Sequence, residues 1–223
     1  MSKLILIRHG QASFGQQNYD QLSELGTRQA HWLGRYLKEV GIQPERIITG
    51  SLNRHKQTAE AICEVLKVDC ITEEHSGWDE FDFQTLVYAL LQKHPELTPT
   101  DKQAKVFFSL LKKAMLAWSN CELTSPLLES WEQFENRVNE AMLFSKSPSN
   151  QKNVLVVSSG GSISMALKHV LKLENSTMID LNLQTRNTSM SEIFFKQNHG
   201  HLCSFNATPH LETLERREFI TYA

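Results

Sequence analysis

Four consecutive apolar residues, Leu4-Ile5-Leu6-Ile7, run straight into Arg8-His9-Gly10-Gln11-Ala12. A strand that is apolar on both faces must be covered on both, which predicts a parallel sheet with helices above and below it. The carboxyl ends of such strands open onto the crevice where α/β sheets bind ligands. Arg8, His9 and Gly10 therefore emerge together where a site is expected. A guanidinium forks onto phosphate oxygens, and a neutral imidazole can attack phosphorus, so the pair suits phosphoryl chemistry. The same three residues could also simply end a strand at a polar surface, and short motifs of this kind arise by chance.

The chain has 223 residues, 40% of them hydrophobic and 22% charged, with a formal net charge of −2. That is globular composition with enough chain for a sizeable core. No basic run points to a nucleic-acid surface. Only four apolar residues separate Met1-Ser2-Lys3 from Arg8, and no later run is long enough either, so neither a signal peptide nor a membrane span is expected. Cys63, Cys70, Cys121 and Cys203 have no metal-ligand spacing and read as small core residues in a reducing cytoplasm. The histidines form no metal-binding pattern, and His199-Gly200-His201 reads as a turn.

A polar loop, Gln11 to Gln21, follows the first strand and is a candidate substrate rim through Gln11 and Ser13. Ser23 and Glu24 mark a helix start, Ala30, Leu33, Leu37 and Val40 its apolar face, and Gly41 its end. Arg46 to Thr49 is a second short strand. Gly50 to Ala59 leads into a helix with Ala59, Ile62, Cys63 and Leu66 on one face, which puts Arg54 at an anion-attracting helix start. Val68 to Thr72 reads as a third strand, running into an acidic loop that holds Asp79, Glu80 and Asp82.

Strand signals then vanish over about 82–147. Three apolar helical stripes replace them, around Leu86, Leu111 and Phe134, with a capping-box pattern at Ser130 and Gln133. This stretch reads as a helical insertion packed over one end of the sheet. Ser145 to Asn150 returns the chain to a second fully apolar strand, Val154 to Val157. Ser158-Ser159-Gly160-Gly161 and a helix follow it. A strand, a small-residue turn and a helix again make a cradle of N–H groups suited to anions. Two apolar stretches around Asn198-His199-Gly200 read as an antiparallel hairpin. The architecture expected is a single α/β domain over 1–223: a three-layer sandwich with a mostly parallel central sheet.

These pieces together resemble the histidine phosphatase (phosphoglycerate mutase-like) superfamily over nearly the whole chain. Arg8 to Ala12 looks like its signature, Leu22 to Gly26 with Gln29-Ala30 like its first helix, and Ser51 to Arg54 with Gln57-Thr58-Ala59 like its second arginine motif. Trp78-Asp79-Glu80-Phe81 falls where the family keeps its acid. Val154 to Gly161 matches its last catalytic strand, and Asn206 with Pro209-His210-Leu211 its usual ending. The resemblance implies a phosphomonoester hydrolase with His9 as nucleophile and phosphate held by Arg8, Arg54, Ser159 and Gly160. Glu80 would be the acid and base, chosen over Asp79 and Asp82 by motif position. It implies a small phosphorylated substrate and no metal or other cofactor. Oligomeric state is open.

One position departs from the pattern. Relatives usually carry a second histidine where Ser159 stands, and a hydroxyl is shorter and never cationic. Losing one preorganised donor costs roughly two to three orders of magnitude in rate. The family's loop asparagine is also absent, with Gly15 in its place. A non-catalytic phosphate-binding or interaction protein is thus the rival expectation. A phosphoglycerate mutase ranks lower, because the motif around Glu80 lacks that branch's longer pattern. His55 stands beside Arg54 where relatives often have a small residue. It either joins the rim and returns an imidazole to the site, or packs on the helix surface, since adjacent helical residues diverge.

Overall fold

The computed structural model describes residues 2–13, 20–99, 104–123, 129–146, 152–196 and 199–222. Gly15 and the middle of the Gln11–Gln21 loop, Ser147 to Asn150, and Asn198 lie outside these residues. Six strands form one sheet: β1 (Ser2–Arg8), β2 (Arg46–Thr49), β3 (Thr72–Glu74), β4 (Asn153–Ser158), β5 (Met190–Lys196) and β6 (His199–Ala207). Their order is β3-β2-β4-β1-β5-β6. The first four in that order run parallel, while β5 pairs antiparallel with β1, and β6 with β5. The apolar runs of β1 and β4 lie side by side at the centre, with Leu4 opposite Val154 and Arg8 opposite Ser158.

Because side chains alternate along a strand, the sheet feeds two cores. Ile5, Ile7, Ile47, Leu155 and Val157 pack under α1 (Glu24–Glu39) and α2 (Asn53–Leu66) through Ala30, Leu33, Leu37, Ala59 and Ile62. Leu4, Leu6, Ile48, Val154 and Val156 face the other way. There they meet α3 (Phe83–Lys93), α4 (Ala104–Ser119), α5 (Trp131–Lys146), α6 (Gly160–Leu171) and α7 (Asn175–Gln184), through Leu86, Trp118, Phe134, Ile163 and Met178 among others. The result is an α/β fold with helices on both faces of a mixed sheet. Among the described residues no helix is long and apolar enough to cross a membrane.

Local sequence signals explain the helix ends. Ser23 Oγ accepts the Gly26 N–H at 3.0 Å, and Gly41, just past the end of α1, has φ 72°. Ser130 and Gln133 exchange side chain-to-backbone bonds of 2.7 and 3.1 Å, closing the box ahead of α5. Three expectations need correction. Of the four cysteines only Cys63 is a core residue, while Cys70, Cys121 and Cys203 are exposed. His199-Gly200-His201 opens strand β6 and does not form the turn. The third strand is Thr72–Glu74, not Val68 to Thr72. Lys67 leaves α2 in the left-handed conformation, the Ile71 N–H turns back to the Asp69 carbonyl, and Ile71 is 79% exposed. The helices of 82–147 share one core with Leu4, Leu6, Val154 and Val156 of the sheet. Helix α7 has no counterpart in the sequence reading; it buries only Met178 and Ile179.

Candidate active site

The ends of β1 and β4 carry the centre of the site. The His9 N–H donates to the Ser158 carbonyl at 2.9 Å, and the Thr188 N–H to the Arg8 carbonyl at 3.0 Å. Asn187 Nδ2 donates to the His9 carbonyl at 3.1 Å. The imidazole is buried, 3% exposed, with Nδ1 2.7 Å from the Gly10 carbonyl. A carbonyl only accepts, so Nδ1 carries the proton and Nε2 presents its lone pair. Burial pushes the His9 pKa well down, and Arg54, Arg8 and His55 push it further, against the Gly10 bond. His9 is therefore a neutral imidazole with Nε2 available.

Arg54 reaches Nε2 of His9 with its own Nε at 3.2 Å. It sits buried in the first turn of α2 and places Nη1 2.9 Å from Asp20 Oδ1. Asp20 also accepts the Asn53 N–H at 2.9 Å. Leu52, the residue at the cap position, has no side chain for that task. One carboxylate thus caps α2 and orients Arg54. Asp20 was not among the residues singled out from the sequence, where it is one acid in a polar loop. Arg8, the last residue of β1, precedes His9. Its Nη1 donates to the carbonyls of Thr185 and Tyr222, the second at 2.8 Å.

Glu80 approaches from the acidic loop. Its Oε2 accepts the Gly161 N–H at 3.1 Å, and Oε1 the Phe81 N–H at 3.3 Å. A Cβ at Gly161 would overlap Oε1 and the Phe81 ring, so the carboxyl reaches the start of α6 only because 161 is glycine. Arg137 holds the loop by donating to the carbonyls of Gly77 and Asp79, at 3.1 and 2.7 Å. Burial pushes the Glu80 pKa up, opposed by the Gly161 N–H and by Arg54, Arg8 and Arg137. Its two rivals have other partners. Asp79 accepts the Ser51 N–H and hydroxyl at 2.6 and 2.5 Å. Asp82 caps α3 through the N–H groups of Gln84 and Thr85.

Ser159 is fully buried at the cap position of α6, yet its hydroxyl makes no cap bond. It lies 2.8 Å from His55 Nε2 instead. The His55 ring is fully buried, its centroid 5.6 Å from that of His9. His55 is thus neither on the rim nor on the helix surface. Near the start of α2 its ring can fold in beside Gly50, where a Cβ would overlap both His55 Nδ1 and Asp79 Oδ1. Gly160 begins α6 against Asn182. Gln11 and Ser13 line a cavity of about 530 Å³ with residues 21–24. Gln29, also not anticipated, accepts the Gln11 N–H at 2.9 Å and donates to the Phe219 carbonyl at 2.7 Å.

A family model described as the histidine phosphatase superfamily (branch 1) matches residues 4–208, and the chain belongs to that superfamily. Its relatives include mutases and phosphatases. It is 37% identical over 90 residues to a 2,3-bisphosphoglycerate-dependent phosphoglycerate mutase of Chelativorans, a match covering 37% of this chain and 44% of that one. It is 26% identical over 216 residues to the enzyme of the same description from Porphyromonas gingivalis, covering 83% and 84% of the two chains. Among solved structures, it resembles the phosphoserine phosphatase of Entamoeba histolytica in complex with 3-phosphoglyceric acid. There the TM-score is 0.68 at 25% identity, over 95% of this chain and 100% of that one.

Proposed function

We propose that this protein hydrolyses phosphomonoesters through a phosphohistidine at His9. The observation that carries the proposal is the His9 tautomer: Nδ1–H is held by the Gly10 carbonyl and Nε2 faces Arg54 Nε at 3.2 Å, with the charge of Arg8 also acting on the ring. Nε2 attacks phosphorus in line, and the P–N bond forms as the ester P–O bond breaks. Arg54 turns its Nε from the lone pair to a phosphoryl oxygen. With Arg8 it neutralises the charge on the equatorial oxygens, and the N–H groups and hydroxyl at Ser159 and Gly160 assist. Glu80, its pKa raised, protonates the departing oxygen. It then takes a proton from the water that attacks the phosphohistidine, releasing inorganic phosphate and restoring His9.

The substrate proposed is a small phosphorylated metabolite of the phosphoserine or phosphoglycerate kind, in line with what the similar proteins are named for. Its organic part would lie along Gln11, Ser13 and the helical cap of 82–147, in a single catalytic unit. A reducing, cytoplasmic setting is part of the proposal, resting on the scattered spacing of the four cysteines. Hydrolysis of an aryl phosphate by the purified protein, beside His9→Ala, tests the proposal. Turnover that vanishes with His9 is expected; turnover equal in both proteins, or in neither, overturns it. Mutase activity is the second reading, favoured by the names of the curated relatives. Isomerisation of phosphoglycerate that needs the bisphosphate and outruns hydrolysis would put it first.

A further inference from the structure

Ser159 and His55 form a unit in which the phosphatase proposal gives the hydroxyl a phosphoryl oxygen to meet and leaves the imidazole without a task. A serine at a helix cap position ordinarily spends its hydroxyl on the helix's own N–H groups. Ser159 does not; its hydroxyl lies 2.8 Å from His55 Nε2. A histidine buried beside an arginine is costly unless it has a polar role. Yet His55 is fully buried next to Arg54, its ring 5.6 Å from the His9 ring, with Nδ1 lacking a hydrogen-bond partner. Gly50 keeps the space that the ring occupies. Asp79 faces Nδ1 at 3.9 Å. Ser159 itself directly follows Ser158, whose carbonyl takes the His9 N–H, so the hydroxyl belongs to the strand end adjoining the nucleophile.

We propose that His55 is a positioning residue: its Nε2–H donates to Ser159 Oγ, which turns the serine proton outward onto an oxygen of the phosphoryl group at His9. A hydroxyl has one proton and two lone pairs. With Nε2 as donor the hydroxyl must spend its proton elsewhere, and a phosphoryl oxygen is the acceptor brought to that point. Asp79, 3.9 Å from Nδ1, faces the other side of the ring. An imidazole from α2 and a hydroxyl from the start of α6 together thus aim one hydrogen-bond donor at the phosphoryl group, which the hydroxyl alone would not hold in that orientation. This rests on the phosphohistidine reading of the same site.

The test compares wild type with His55→Ala, His55→Gln, Ser159→Ala, the double alanine variant, and His55→Ala combined with Ser159→His. Aryl phosphate kinetics and thermal melting are read for each. Each single alanine variant is expected to lower kcat roughly 10²–10³-fold with KM little changed. The double variant should be no worse than either single one, the mark of groups that act as a unit. His55→Gln keeps an N–H near the Nε2 position and should retain most of the rate. The relocated histidine should exceed the double alanine variant. Wild-type kcat in a folded His55→Ala protein, additive losses, or a glutamine variant no better than alanine would overturn the proposal. Ser159→Ala removes a single oxygen, so it carries the test if His55→Ala melts early. Should wild type show no turnover, the phosphatase reading fails separately, and calorimetry with inorganic phosphate decides the pair. Equal, non-additive losses of affinity uphold it; additive losses, or no binding by wild type, dismiss it.

Discussion

Glu80 and His9 are driven apart in proton affinity by one shared environment. Burial raises the carboxyl and lowers the imidazole, which widens the pH range in which the acid is protonated while the nucleophile is neutral. The rate should therefore fall on the alkaline side as Glu80 loses its proton, and on the acid side only well below the ordinary imidazole range. With an alkyl phosphate the profile of kcat/KM is expected to peak below neutrality. Glu80→Gln should remove the alkaline limb and lower kcat by roughly 10²–10⁴-fold. An aryl phosphate, whose leaving group needs less help, should lose less. A profile unchanged by Glu80→Gln would assign the proton to another group. Arg8, His9 and Arg54 stood out in the sequence because one pair ends an apolar strand and the other residue starts a helix just past a strand, the places where α/β sheets hold ligands. Asp20 and Gln29 did not, because what gives them meaning is contact with residues at least eighteen positions away.

At the scale of elements, the start of α2 is where structure and chemistry share residues. Asp20 accepts from the Asn53 N–H and from Arg54 Nη1, so one substitution disturbs both the helix cap and the guanidinium. Asp20→Ala is expected to cost about 1 kcal/mol of stability, read from the denaturant midpoint, with Asp20→Asn recovering most of it. An unchanged midpoint in the alanine variant would dismiss the capping role. The same helix start explains why His55 was hard to place. Successive helical residues diverge by about 100°, but at a first turn lined by Gly50 two neighbours can both reach one site. Strands β1 and β4 were legible to within about two residues because burial on both faces leaves an unbroken apolar run. Strand β3 is a short edge whose neighbouring Ile71 is exposed, and α7 has only two buried residues, so neither leaves a pattern to read.

Across the whole molecule, acid should be the condition the fold tolerates least. His9, His55 and His210 are all buried with lowered pKa values. For His210 burial leads and Arg216 adds to it, bringing the value to about 3. Its Nε2 is 2.9 Å from Thr188 Oγ1, under the turn that holds the His9 backbone. The unfolded chain takes up this proton near pH 6.5, while the folded chain resists it down to about 3. The stability is therefore fully present above pH 6.5 and declines as the pH falls through that window. At roughly 1.4 kcal/mol per pKa unit the loss amounts to a few kcal/mol. Melting temperature measured against pH should fall below pH 6.5, and His210→Gln should flatten that fall. A wild-type curve flat down to pH 4 would contradict it. The layered architecture was legible from the alternation of apolar strands and helical stripes. Which face the 82–147 helices cover was not, because a stripe says that a helix packs and not against what.

The claim on which the rest depends is the covalent intermediate, and the most direct measurement is its capture. The protein is mixed with an aryl phosphate, quenched within a turnover, and read by intact mass and peptide mapping. The expected result is one added phosphoryl group on His9, stable in base, lost in acid and absent from His9→Ala. Turnover without an adduct, or an acid-stable adduct on Ser159, would contradict the account.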